Sequence, residues 1–364
     1  MSFGARAVIR LAAIRNNLAK IRNLAGGARV VAVIKANAYG HGLVAVARQL
    51  PTADSFAVAR LSEAVRLREA GIEQPVVLLE GAFTPRELDE SLARKLELVV
   101  HCEAQVAMLE ARQRGDAVVW LKADTGMHRL GFETQEIDRL KARLARCPAV
   151  REVRLMTHLA NADNRGDDRT KLQLDRFAVL LDGFEGNFSI ANSAGILGWP
   201  EAISGTAEPS RSWVRAGIAL YGVSPFMGTV GAEFGLQAAM SLEARIIAVK
   251  AIRKGGAVGY GGGWRAPRNT VLGIVSAGYG DGYSRFLPSG TPVRVNGREA
   301  ALAGRISMDT AAIDLGPDSK DAVGDSITLW GEALPVEKVA ACAGTIPYAL
   351  LAGVMHRDPP LIIA

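Results

Sequence analysis

The chain has 364 residues, 49% of them hydrophobic and 22% charged, a globular balance that excludes a disordered polymer. The net charge of +6 comes from 43 basic and 37 acidic residues mixed along the whole length. With no block of like charge to track a phosphate backbone, nucleic acid is not expected as a partner. No apolar run nears the ~20 residues that cross a bilayer, and the arginine-bearing N-terminus lacks a leader's apolar core, so no membrane role is expected and a cytoplasmic enzyme or binding protein is. Cys102, Cys147 and Cys342 lie far apart and read as reduced, packed thiols.

The first predicted strand, 30–34, is an apolar run that passes straight into Lys35 and the turn-rich segment 36–42. Further apolar runs at 54–59, 76–79, 97–100, 117–121, 153–157, 187–191 and 213–219 also read as strands. They are continuous rather than alternating, as a parallel sheet covered on both faces requires. Segments of helical spacing lie between them. One, Leu61 to Ala70, stops at Gly71, a natural left-handed cap. Another opens with Thr84-Pro85-Arg86-Glu87, a capping box with proline in the first turn. A third, Glu103 to Arg114, stops at Gly115. Eight consecutive βα units predict a closed (β/α)8 TIM barrel over residues 1–236, with the first few residues free to pair with the C-terminal domain. From 237 to 364 short strands and frequent glycines take over. A hairpin around Asn296-Gly297 is expected there, with a helix only at about 335–344, which predicts a separate, mainly β domain.

Barrels carry their chemistry at the carboxyl ends of their strands. Lys35 closes the first predicted strand, and Lys122, Asp124 and Arg129 follow the fifth. His158 ends the sixth, Asn192 and Ser193 the seventh, and Arg215 with Gly217 belongs to the eighth. Each also has a plainer reading: a strand-end lysine meeting solvent, a packed histidine, an ordinary helix cap. A cap and an anion site use the same amides, however, and barrel phosphate sites follow strands seven and eight. The glycine-rich stretches 259–264 and 278–283 do not sit between a parallel strand and a helix, so they read as turns presenting tyrosines outward. His41, His101 and His128 share no ligand spacing, and no metal is expected.

In order and spacing, AVIKANAYGHG, KADTGMHRLG, THLANAD, NSAG, RAGIALYG, VGYGGGW, AGYGDGYSR, GRISMD and IPYALL resemble the alanine racemase family over nearly the whole chain. The resemblance implies pyridoxal 5′-phosphate held as a Schiff base on Lys35, in a homodimer whose β domain covers the partner's barrel. It implies Tyr260 as the opposite base, reaching in from the other subunit, and Arg215 facing the pyridine nitrogen. Tyr39, Ser193, Gly217, Ile218 and Tyr348 match phosphate-binding positions, with Asn192 beside them. Arg129 and Met308 match substrate contacts, Tyr279 and Asp309 line the entry, and Lys122 matches a lysine that is often carbamylated and then braces Arg129. Three positions depart from the pattern: Ser307 where cysteine is frequent, Ala216 where proline is common, and Gly280 where alanine is usual.

Racemisation removes a proton from one face of an α-carbon and returns one to the other. A lysine and a tyrosine ordinarily titrate near ~10, so both bases need tuning. His158, held by Arg215, is expected beside the tyrosine and is grouped with the catalytic residues. The implied activity is interconversion of L- and D-alanine, supplying D-alanine for cell-wall precursors or degrading it. The alternatives are a racemase of broader scope that takes serine, a decarboxylase on the same plan, and a protein that carries the cofactor without turnover.

Overall fold

The structure is a computed structural model that describes residues 3–204 and 208–363. Eight parallel strands form the first body: Arg29–Val33, Ser55–Val58, Val76–Leu78, Leu96–Val100, Ala117–Asp124, Val150–Met156, Phe188–Ser189 and Trp213–Ala216. Each pairs with its successor, and the last returns to the first with Arg215 opposite Val31. Between the seventh and eighth strands, a Phe188–Ser212 bridge and a bond from Arg215 N to Ala191 O (2.8 Å) close the ring. The expected eight-stranded barrel is therefore the observed one.

Boundaries shift where the backbone has other work. The eighth strand ends at Ala216 rather than 219, because Gly217 turns out of the sheet (φ −107°, ψ −104°) and Ile218–Tyr221 wind into a 3-10 turn. The helix expected to reach Arg114 ends at Glu110. Beyond it, Arg112 bonds the Pro85 carbonyl and pairs with Asp89 of the neighbouring helix. The fifth strand runs on to Asp124, so Lys122 and Asp124 stand in it rather than after it. Lys35 lies two residues past its strand. The helix of 84–93 starts as expected, with Thr84 Oγ1 accepting from Glu87 N (3.1 Å), but the return bond of Glu87 goes to Phe83 N.

Strand alternation stacks the barrel interior in layers. Trp120 and Trp213 meet edge to face (5.8 Å), and the Arg154 guanidinium stacks on both rings. Glu97 accepts from Arg154 (3.1 Å) and from the Trp120 indole (2.7 Å). Two residues further along the same strands come Lys122 and Arg215, so the layer of tryptophans floors the mouth. Removing one partner of a buried pair strands the other charge, so Arg154→Ala is expected to cost ~3–5 kcal/mol. A denaturant midpoint unchanged from wild type would contradict this.

The second body is a sheet in which each strand bonds its neighbours around a ring: Met240–Ile252, Thr270–Val275, Ala311–Gly316, Arg298–Leu302, Pro292–Val295 and Ser326–Trp330. Arg6–Arg10 pairs antiparallel with Met240–Ile252 and parallel with Leu361–Ile363. The hairpin turns at Asn296-Gly297, both with positive φ. Two short helices, Val336–Cys342 and Pro347–Ala352, occur where one was expected. Among the described residues, no helix is long and apolar enough to cross a membrane.

Candidate active site

The segment after Lys35 is a turn of left-handed backbone. Ala36, Asn37, Ala38 and Tyr39 all have φ between 52° and 55°, and Gly40 ends the run at 81°. Left-handed backbone costs L-residues roughly 1–2 kcal/mol each, and such strain persists only where surroundings over-determine it. The Asn37 side chain accepts from Leu43 N (3.0 Å), and Tyr39 is buried. The turn faces the Lys35 amine and the Tyr39 phenol toward one barrel mouth.

Lys122, His158 and Arg215 stand in the layer above the tryptophans. Arg215 is buried and donates to the carbonyls of Thr157 (2.6 Å) and Ile190 (3.2 Å) and to the Ser189 hydroxyl. Burial brings it down only to about 10, so it stays charged at neutral pH. Its Nη2 lies 3.3 Å from His158 Nδ1. A guanidinium only donates, so His158 Nδ1 accepts and the ring hydrogen sits on Nε2. Burial first, then the charges of Arg215, Lys122 and Arg129, hold His158 well below the usual imidazole range. Lys122 is brought down to about 8 by burial and the charges of Arg215 and Arg129. Lys35 is lowered by burial and then by Arg129, with Glu80 and Glu63 opposing weakly.

The mouth is thus a cluster of cations short of counter-charge. The Oδ1 of Asp124, the nearest acid in sequence, is taken by the amides of Gly126, Met127 and His128. That nest shapes the loop carrying Arg129, whose side chain is exposed. Such a field favours anions.

Across the mouth, Ser193 Oγ accepts from Gly217 N (2.9 Å) and Ala219 N (3.3 Å), which leaves its own hydrogen to donate elsewhere. Asn192 caps the short helix by accepting from Gly195 N (3.0 Å). A Cβ on Gly217 would stand 2.8 Å from the Tyr39 hydroxyl, so glycine keeps the space between that phenol and the loop open. Tyr348, from the second body, lies 6.0 Å ring to ring from Tyr39, and burial pushes its phenol up to about 12. Ile218 is buried at the start of the 3-10 turn.

The remaining predicted residues stand apart. Tyr260 is 64% exposed and Met308 55%, and Tyr279 is partly exposed. Asp309 pairs with Arg357 at 2.7 Å. Among the described residues, none of these four hydrogen-bonds Lys35, His158 or Arg215. Their segments pack together: Tyr279 N bonds Ser307 O (3.0 Å) and Gly280 N bonds Met308 O (2.8 Å). A Cβ on Gly280 would lie 3.0 Å from Arg357, which suits glycine where alanine is usual.

Two groups of site neighbours escaped the sequence reading. Gln173 bonds Thr125 Oγ1 (3.1 Å), the His158 carbonyl (3.0 Å) and Ala160 N (2.8 Å), and so ties the fifth-strand loop to the sixth. His41 and Tyr221 back the Lys35 turn. Nothing marks Gln173 except its place on a helix facing the barrel. For His41 the signal was its position two residues after Tyr39.

A parallel barrel with lysines, an arginine–histidine pair and a set of hydroxyls and amides gathered at its carboxyl end, joined to a β domain, defines a barrel enzyme. Residues 9–225 match the family model described as alanine racemase, N-terminal domain, and residues 239–361 the model for the C-terminal domain. The chain belongs to the alanine racemase family. It is 48% identical over 355 residues to the alanine racemase of Yersinia pestis, covering 97% of each. It is 47% identical over 356 residues to the biosynthetic alanine racemase of Escherichia coli, again over 97% of each. Among solved structures, the biosynthetic alanine racemase from Pseudomonas aeruginosa superposes with a TM-score of 0.95 at 42% identity, covering 100% of both chains. The Acinetobacter baumannii enzyme gives 0.92 at 35%, covering 99% of each.

Proposed function

We propose that this chain interconverts L- and D-alanine as a cytoplasmic homodimer that uses pyridoxal 5′-phosphate. The observation that carries the reading is the half-buried Lys35 amine, lowered in pKa, across the mouth from a cradle of hydroxyls and amides. The residues present suit the cofactor. Lys35 supplies an amine whose lowered pKa favours the neutral form an aldehyde needs, and Tyr39, Ser193, Tyr348 and the turn of Gly217 and Ile218 would supply phosphate donors with Asn192 shaping their helix. When bound, the cofactor spreads the negative charge that develops on the α-carbon.

The protein's part is to hold and move protons. Burial and nearby cations keep Lys35 able to be neutral, so its Nζ can take or return a proton on one face. Tyr260, lent by the other subunit, serves the opposite face through its hydroxyl. His158, with its hydrogen on Nε2 and Nδ1 accepting from Arg215, would donate to that tyrosine's oxygen and so ease its loss of a proton. Arg215 would face the pyridine nitrogen of the bound cofactor and, because a guanidinium keeps its protons, would leave that nitrogen unprotonated. Arg129 and Met308 position the substrate, and Tyr279 and Asp309 line its route in. Borohydride reduction of purified protein should fix the cofactor to Lys35, and chiral analysis of incubated alanine should show both isomers. Label elsewhere, or no exchange, would sink the reading.

Lys122 is the proposed carbamylated lysine. The lowering to about 8 favours the neutral amine that adds CO2, which would turn a cation near Arg129 into an anion that braces it. ¹³C-bicarbonate is expected to give a carbamate resonance that Lys122→Met lacks. Without bicarbonate, the folded amine titrates at about 8 and the unfolded one at 10.5. The unfolded chain then binds more protons between those values, so stability should rise with pH across that window. The rise should be smaller in Lys122→Met, as read from denaturant midpoints.

A further inference from the structure

The strained turn after Lys35 is held by a side chain with no part in the proton exchange. His41 is fully buried. Its Nδ1 lies 3.0 Å from the Ala38 carbonyl and 2.9 Å from that of Tyr39. Both neighbours only accept, so Nδ1 carries the hydrogen and shares it between two consecutive carbonyls of the left-handed run. The imidazole stacks on Tyr221 at 4.4 Å, and Tyr221 in turn lies 4.8 Å from the Tyr39 ring. The Tyr221 phenol donates to the Val33 carbonyl (3.0 Å), at the end of the first barrel strand. A column of three rings therefore runs from His41 to Tyr39 and is pinned to the strand that delivers Lys35.

The other side of the turn is closed too. His356 Nε2 donates to the Gly40 carbonyl (2.6 Å), and a Cβ on Gly40 would run into the Leu351 carbonyl. Burial drives His41 down to about 4, so its single ring hydrogen stays in place through the neutral range. No other side chain among the described residues is hydrogen-bonded to the carbonyls of Ala38 and Tyr39.

We propose that His41 is a positioning residue, whose Nδ1 hydrogen locks the left-handed turn and thereby fixes the span between the Lys35 amine and the Tyr39 hydroxyl. The role rests on the proposed cofactor, because a ligand bonded at Lys35 and held at Tyr39 is sensitive to that span. Without the imidazole bond the turn keeps only its backbone bonds and the Asn37 bond to Leu43 N, so the Tyr39 end loosens and the two groups lose their register. The shape of the ring is not what matters; the donor at Nδ1 is.

Asparagine can place its amide nitrogen where Nδ1 stands, whereas leucine fills the space without a donor. His41→Asn holoenzyme is expected to retain pyridoxal phosphate on prolonged dialysis close to wild type. His41→Leu, folded by circular dichroism and still dimeric, is expected to lose it about tenfold faster or more, with kcat falling further than KM moves. Equal retention in His41→Leu and wild type, or equal loss in both variants, overturns the role. Should His41→Leu fail to fold, ¹⁵N-histidine spectra of the wild-type enzyme decide: a buried Nδ1–H tautomer supports the lock, and an Nε2–H tautomer overturns it. Wild-type enzyme from which no cofactor can be trapped at Lys35 would instead bring down the functional reading, and this role with it.

Discussion

Lys35→Ala is expected to lower kcat/KM for alanine, in both directions, by roughly 10⁴ or more, because one amine is asked to do two things. On the proposed reading it anchors the cofactor and exchanges a proton at one face of the α-carbon. Either loss alone is severe, and alanine removes both. Lys35→Arg should fare no better despite keeping length and charge, since a guanidinium does not give up its proton in proteins. That comparison separates chemistry from electrostatics. The mouth keeps its cations in Lys35→Arg, so activity near wild type in that variant would show that positive charge, and not a basic amine, is what position 35 supplies. Rates of both isomers, measured by chiral chromatography, provide the check.

The barrel was legible because its evidence is local. Eight continuous apolar runs, each followed by a helical segment, leave few arrangements open, and the carboxyl-end rule then gathers Lys35, Lys122, His158, Ser193 and Arg215 at one mouth. What the sequence hid is what only meets in three dimensions. Only Asn37 in Ala36-Asn37-Ala38-Tyr39 tolerates left-handed backbone readily; the rest of the run is held by the Asn37 bond to Leu43 N, by His41 below and by the Gly40 contacts to the second body. The eighth strand reads as apolar to 219, yet the chain leaves it at Gly217, where the backbone turns to offer its amide to Ser193. Glu97 and Arg154 look like surface charges in a strand, until they are found stacked among tryptophans inside the barrel. Gln173 is one more polar helix residue until Thr125 and His158 close on it.

The second large effect concerns Tyr260, which a single chain leaves exposed on its β domain. If this phenol completes the partner's site, two dead enzymes should make a live one. Lys35→Ala lacks the amine in both of its sites, and Tyr260→Phe lacks the phenol in both. In a mixed dimer one site is doubly defective. The other joins an intact Lys35 from the Tyr260→Phe chain with an intact Tyr260 from the Lys35→Ala chain. Random reassortment of equal amounts gives half mixed dimers, each with one whole site, so activity should return to about a quarter of wild type. Were Tyr260 to act within its own chain, no combination would restore a site, and the mixture would stay as inactive as its components. The assay needs no assumption about rates, because it compares one mixture with its own parents. It also bears on why the β domain exposes Tyr260, Tyr279 and Met308 together: a surface tyrosine beside an exposed methionine is costly to leave in water and useful once a second barrel mouth covers it.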